Sequence, residues 1–149
     1  AVGVVGEVTE QDREALIASV KAHEGLRLLP YLDSVGKLTL GYGHNLNAQP
    51  ITKTFAELLL LQDLELHERE LTKRLPWIAN LNGVRQRVLY EMAFNLGVPR
   101  LLGFKLMLSA CQAGKYDVAA REMLDSKWAG QTKGRAVTLA AMMRTGESA

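Results

Sequence analysis

Strand-like patterning in this chain of 149 residues is confined to a short window, residues 30–47, and from Pro76 onward the sequence reads as helix. Inside the window the period shortens and glycines mix with aromatic and aliphatic residues: Tyr31, Leu32, Val35, Gly36, Leu38, Leu40, Gly41, Tyr42 and Gly43. That pattern predicts a small antiparallel sheet with a tight turn near Ser34 to Lys37. The expected architecture is α+β within a single domain, residues 1–149. A small lobe at about 13–54 would carry the sheet, a long helix at about 55–75 would lead out of it, and a helical lobe would fill about 76–146.

Local signals place the helices. Thr9 can cap the first, with Asp12 at the capping-box position and Leu16, Ile17 and Val20 on one face up to about His23, before Gly25 stops it. Pro50 closes a loop, Thr52 or Thr54 can cap the next helix, and Leu58, Leu61, Leu64, Leu71 and Leu75 keep helical spacing towards Pro76. Glu65, Glu68, Arg69 and Glu70 fall on the wet side of that helix. Residues 82–96 form a further helix, carrying Val84, Val88, Leu89, Met92, Ala93 and Leu96 and ended by Gly97. Three more are expected at about 101–113, 116–126 and 133–144, separated by Gly114 and by Gly130 with Thr132, and closed by Gly146.

Composition narrows the function classes. With 48% hydrophobic and 23% charged residues the chain fits a globular domain rather than a disordered or repeat protein. Its one cysteine, Cys111, cannot form an internal bridge, which is compatible with synthesis in a reducing cytoplasm. No apolar run approaches the roughly 18 residues of a membrane span. The opening residues 1–6 lack a basic region and are too short for a signal-peptide core, while the missing initiator Met leaves the natural start open. Residues 1–74 hold 8 Lys/Arg and 11 Asp/Glu, against 10 and 5 in residues 75–149. A basic second half suits an anionic polymer and equally an ordinary solvated surface. Trp77 and Trp128 are too few for an aromatic-rich nucleic-acid surface, so nucleic acid is not an expected partner.

Several chemistries fail on spacing. His67 and Glu68 begin like H-E-x-x-H, but the fifth position is Leu71, so His67 is expected on the helix surface and no metal is implied. Gly41-Tyr42-Gly43 lacks the third glycine and the βαβ context of a dinucleotide site. No G-x-S-x-G elbow occurs, and Cys111 lies in an apolar helix without a charge to activate it. Carboxylates remain. Glu24 ends the first helix and Asp33 lies in the sheet that follows, so the two could work as the acid and the base or nucleophile of glycoside hydrolysis. Spacing alone does not separate that pair from a helix-end charge and a turn-forming aspartate.

The surrounding residues add a resemblance. His23-Glu24-Gly25-Leu26-Arg27, Tyr31-Leu32-Asp33 and Leu38-Thr39-Leu40-Gly41-Tyr42-Gly43-His44 closely resemble the active-site segment of the phage-type lysozymes, glycoside hydrolase family 24. The pattern of Glu, eight residues, Asp, five residues, Thr, then Gly-x-Gly-His is matched without a gap. Ile51-Thr52-Lys53, Gln62-Asp63, Phe94-Asn95-Leu96-Gly97, Gly103-Phe104, Trp128, Gln131-Thr132, Arg135-Ala136 and Arg144-Thr145-Gly146 follow the T-even members in the same order, so most of residues 13–146 is covered. Two departures stand out: a shorter stretch between His44 and Ile51, and an end just after Gly146.

The resemblance implies a lysozyme-like two-lobed fold and hydrolysis of the β-1,4 bond between N-acetylmuramic acid and N-acetylglucosamine in bacterial peptidoglycan, as an endolysin. Glu24 would be the general acid, which must hold its proton near neutral pH. Asp33 would stay ionised and help activate water, and Thr39 would hold that water. Phe94, Asn95, Asn45, Met107 and Glu122 would bind substrate. Arg135 is similar to the arginine beside the catalytic glutamate, where its benefit is to hold the carboxyl in place, and Asp63 is expected to pair with His44. No cofactor is implied. The protein is expected to be a monomer made in the host cytoplasm, reaching the wall in the periplasm with help from a hole-forming membrane protein. Alternatives are a peptidoglycan-binding module of a phage particle without turnover, and a lytic transglycosylase; retention of Asp33 speaks for hydrolysis.

Overall fold

The computed structural model describes residues 6–149, and the reading of residues 1–5 as free of a targeting segment lies outside that range. The chain divides into two compact units between Ala56 and Glu57.

In the first unit, α1 (Glu10–Glu24) starts at the predicted capping box. The Asp12 N–H donates to Thr9 Oγ1 at 3.1 Å, and the Thr9 N–H donates back to Asp12 Oδ2 at 3.3 Å, satisfying donors that a helix start leaves open. Gly25 ends the helix with φ 72°, a backbone value open to glycine and costly for other residues. Three antiparallel strands follow in the order β1 (Arg27–Leu32), β2 (Leu38–Gly41), β3 (His44–Asn45). Tyr31 faces Thr39 and Leu32 faces Leu38 across β1 and β2, while Thr39 faces Asn45 and Leu40 faces His44 across β2 and β3. The sheet begins earlier than expected, with Pro30 inside β1. Pairing is irregular between Arg27 and Tyr31, and an edge strand with a register shift tolerates a residue that has no N–H to give. Among the described residues of this unit, Thr39 is the buried one. Leu16, Ile17 and Val20 of α1 are 52%, 46% and 43% exposed, where the sequence predicts an apolar face. Periodicity identifies such a face without saying how much of it is covered.

The second unit holds the hydrophobic core. The long helix α2 (Lys53–Arg74) is capped by Thr52, whose hydroxyl accepts the Phe55 N–H at 3.3 Å. Of its predicted apolar stripe, Leu71 is fully buried whereas Leu58 and Leu61 are exposed. A 3-10 turn at Pro76–Asn80 leads to α3 (Gly83–Leu96), capped by Asn82, which buries Val88, Leu89, Met92, Ala93 and Leu96. The stretch expected as one helix at 101–113 is two, α4 (Val98–Leu102) and α5 (Lys105–Gln112), parted at Gly103 and Phe104. Then come α6 (Tyr116–Leu124), α7 (Lys127–Thr132) and α8 (Gly134–Thr145).

The short α7 is a correction to the predicted loop around Gly130. Ser126, read as the end of a helix, instead caps this one by accepting the Ala129 N–H at 3.1 Å. Arg85 ties α3 to the end of α8: its Nε donates to the Met143 carbonyl at 2.8 Å, and its guanidinium lies 3.5 Å from the centroid of the Tyr116 ring. Cys111 is buried with its sulfur 3.6 Å from that of Met107 and 3.7 Å from that of Met143. No described helix is long and apolar enough to cross a membrane.

Candidate active site

Glu24 is the last residue of α1, and the sharp exit at Gly25 turns the chain directly into the sheet. A depression of about 330 Å³ beside it is lined by Glu24, Gly25, Leu26, Arg27 and Tyr31. The Arg27 guanidinium stacks 4.3 Å from the centroid of the Tyr31 ring, a cation–π contact that fixes one wall. The opposite neighbour of Glu24 is backbone. A Cβ placed on Gly43, in the turn between β2 and β3, would lie 2.6 Å from Glu24 Oε2 and 3.0 Å from its Cδ.

Asp33 and Thr39 are linked through one residue. The Asp33 N–H and the Thr39 hydroxyl both donate to the Lys37 carbonyl, each at 2.9 Å. In return the Lys37 N–H donates to Asp33 Oδ1 at 2.8 Å, and the Val35 N–H reaches the same oxygen at 3.0 Å. The aspartate therefore does form the turn, as its type suggests. Its second oxygen, Oδ2, carries no hydrogen bond among the described residues. Because the Thr39 proton is committed to Lys37, the Thr39 oxygen is left as an acceptor. Asp33 and Thr39 are thus both held by the backbone of Lys37.

Asn45 pairs with Thr39 across the sheet, and its Oδ1 accepts the Asn47 and Ala48 N–H groups at 2.9 and 3.1 Å, which orients its amide. His44 is half-buried with Nε2 enclosed and without a hydrogen-bond partner. Its expected partner Asp63 lies on α2, in the second unit, where its carbonyl accepts from His67 Nδ1 at 2.6 Å. That bond fixes the proton on Nδ1 of neutral His67. His67 is thus no plain surface residue: it is half-buried, and its ring lies 5.8 Å from that of Phe94. A four-residue helical spacing from Asp63 to His67 was the available signal.

In the second unit Phe94 is half-buried and Asn95 is exposed. The Trp128 Nε1–H donates to Asn95 Oδ1 at 2.8 Å, which orients the Asn95 amide. Trp128 also walls a pocket of about 460 Å³, with Met107 and Glu122 among its lining residues. Met107 is only 1% exposed, with its sulfur turned to Cys111. The other charged lining residues, Arg100, Lys105, Asp125 and Lys127, were not foreseen. Arg135 lies apart from this pocket, its Nε donating to Glu91 Oε2 at 2.9 Å across a half-exposed ion pair. Within each unit, then, the predicted residues gather: Asp33, Thr39 and Asn45 around β2, and Asn95, Met107 and Glu122 around the Trp128 pocket.

Comparison with known proteins identifies the family. The phage lysozyme family model matches residues 21–145. The pre-baseplate central spike protein Gp5 of Enterobacteria phage T4 is 32% identical over 155 residues, covering 85% of this chain but only 27% of the spike protein. A probable T4-type lysozyme 1 of Dictyostelium discoideum is 27% identical, with 85% of this chain and 92% of that protein covered. An endolysin of Acyrthosiphon pisum secondary endosymbiont phage 1 is 32% identical over 73% of each chain.

Proposed function

Because the chain belongs to the phage lysozyme family, we propose that it is an endolysin muramidase that hydrolyses the β-1,4 bond between N-acetylmuramic acid and N-acetylglucosamine. Glu24 acts as general acid, giving its proton to the leaving glycosidic oxygen. Asp33 Oδ2 and the Thr39 oxygen each accept a proton of one water, so its lone pair is left to attack the anomeric carbon as Asp33 takes up the proton. A water held on the face opposite the acid inverts the anomeric centre. The observation that most supports this reading is the joint hold of the Lys37 backbone on Asp33 and Thr39. The same bonds form the turn, so the catalytic reading rests on Asp33 Oδ2 and the Thr39 oxygen being left as acceptors.

Asn45, Phe94, Asn95, Met107 and Glu122 are assigned to substrate binding, and Arg135, His44 and Asp63 to support. The Trp128 pocket presents an apolar wall with charges of both signs, which suits the peptide portion of the wall polymer, with its carboxylates and amine. The protein is a monomer that needs no cofactor and reaches the wall from the host cytoplasm with the help of a hole-forming membrane protein.

The alternative that these matches do not favour is a module of a phage particle that binds the wall without turnover; the chain is similar to part of a phage spike protein, covering 27% of it. Turbidity loss of outer-membrane-permeabilised bacteria, followed by analysis of the released fragments, separates the two. Clearing with reducing muramic acid ends is expected, and wall binding without release would favour the module. Anhydro-sugar ends would instead indicate a lytic transglycosylase. Glu24→Gln is expected to lose about 2–5 kcal/mol of transition-state stabilisation, and near-normal turnover would remove Glu24 from the mechanism.

A further inference from the structure

Two glycines flank Tyr42 in the turn from β2 to β3, and both have a positive φ: 69° at Gly41 and 72° at Gly43. A side chain at either would sit at a φ that L residues rarely adopt. Their surroundings differ. A Cβ at Gly41 would meet nothing within 4 Å, whereas one at Gly43 would press on the Glu24 carboxyl, 2.6 Å from Oε2, 3.0 Å from Cδ and 3.4 Å from Cγ. The crowded group is the far end of a flexible side chain. It can swing away at little cost to folding, although not while staying where it is.

We propose that Gly43 is a positioning residue for the acid: its bare α-carbon forms the wall against which the Glu24 carboxyl rests, and so sets where the proton is delivered. This rests on Glu24 being the general acid, as proposed above. Gly41 provides the backbone turn without touching the carboxyl. One position therefore shapes the loop, and the other shapes the loop and the acid together. A general acid works only within hydrogen-bond reach of the oxygen it protonates. Displacing the carboxyl by about 1 Å costs on the order of 10²-fold in rate.

The test compares Gly41→Ala with Gly43→Ala. Both are expected to lower Tm, because both place a side chain at positive φ. Gly43→Ala should lose about 10²-fold in kcat on purified peptidoglycan with KM little changed, while Gly41→Ala should stay within about threefold of the unaltered chain once compared well below Tm. Glu24→Asp, with a shorter side chain, should cost less in the Gly43→Ala background than in the unaltered one, since the added methyl no longer meets a Cγ-extended carboxyl. Equal kcat for the two alanine variants, or a double variant whose losses simply multiply, would overturn the proposal.

A measurement independent of turnover is the set of nuclear Overhauser contacts between the Gly43 α-protons and the Glu24 γ-protons. They should persist in Gly41→Ala, and in Gly43→Ala the contacts from the remaining α-proton at that position should weaken. Unchanged contacts would overturn the positioning role even in an active enzyme. Changed contacts together with an inactive unaltered chain would leave Gly43 as the wall of Glu24 and remove the acid reading instead.

Discussion

The two units of this protein solve different problems with different residues. In the second unit, helices α3 to α8 surround fully buried side chains such as Leu89, Met92, Leu101, Met123 and Met143. In the first, Thr39 is the buried one among the described residues, and order comes from local hydrogen bonds: the Thr9–Asp12 capping box, the Asp33 turn and the Asn45 turn. Yet the first unit carries Glu24, Asp33 and Thr39. Apolar packing positions side chains through many weak contacts, whereas a proton donor and a water-holding pair need directed bonds to fixed backbone groups. With the roles proposed for Glu24, Asp33 and Thr39, chemistry and bulk stability are divided along the chain, and substitutions should divide the same way.

The largest stability effect should come from the packed unit. Leu89→Ala and Met92→Ala, each at a fully buried site, should cost about 2–5 kcal/mol in urea unfolding. A loss below about 1 kcal/mol would show that the core is less tightly packed than its burial implies. Next comes Cys111, whose thiol is pushed from 9.0 up to about 12, chiefly by burial, with the Arg85 cation opposing that shift less strongly. As pH rises the unfolded chain releases this proton first. Stability from this group is therefore intact below about pH 9 and falls towards about pH 12, by up to about 1.4 kcal/mol per pH unit. Unfolding measured across that range should show a steeper loss in the unaltered chain than in Cys111→Ala, the difference being the contribution of this thiol.

Smaller effects sharpen the contrast. Trp128→Phe removes the bond to Asn95 Oδ1 and should cost about 1 kcal/mol, with a rise in KM because the Asn95 amide loses its orientation. An unchanged KM would separate Asn95 from substrate binding. The smallest effect should fall in the first unit: Leu16→Ala, at a site 52% exposed, should stay within about 0.5 kcal/mol. A loss several times larger would show that the apolar face of α1 is covered in solution and would blur the division.

Much of this was legible in the sequence because the signals are local. Thr9 with Asp12, Gly25, Asn82 and Gly97 mark helix ends by satisfying or freeing particular backbone groups, and the structure has its helix ends there. The turn at Ser34 to Lys37 was equally clear. What escaped depends on three dimensions. Leu58, Leu61 and Leu16 keep helical spacing, but burial is decided by the neighbours they find. Ser126 reads as either the end of one helix or the cap of the next, and Gly130 hides a short helix that its flanking contacts stabilise.

At the site, the identities of Glu24, Asp33 and Thr39 came from their pattern and its family resemblance. The joint role of Lys37 did not, because it acts through backbone atoms that any residue type possesses. The pair Glu91–Arg135 and the ring contact of His67 with Phe94 join residues far apart in the chain, and no spacing rule reaches across such separations.

The division between chemistry and stability is tested most directly by Glu24→Gln, measured two ways on the same preparation: thermal unfolding, and release of reducing ends from purified peptidoglycan. The account predicts a Tm within about a degree of the unaltered chain and a rate lower by roughly 10²-fold or more. A variant that still hydrolyses at near-normal rate, or one that loses activity only because it unfolds, would contradict it.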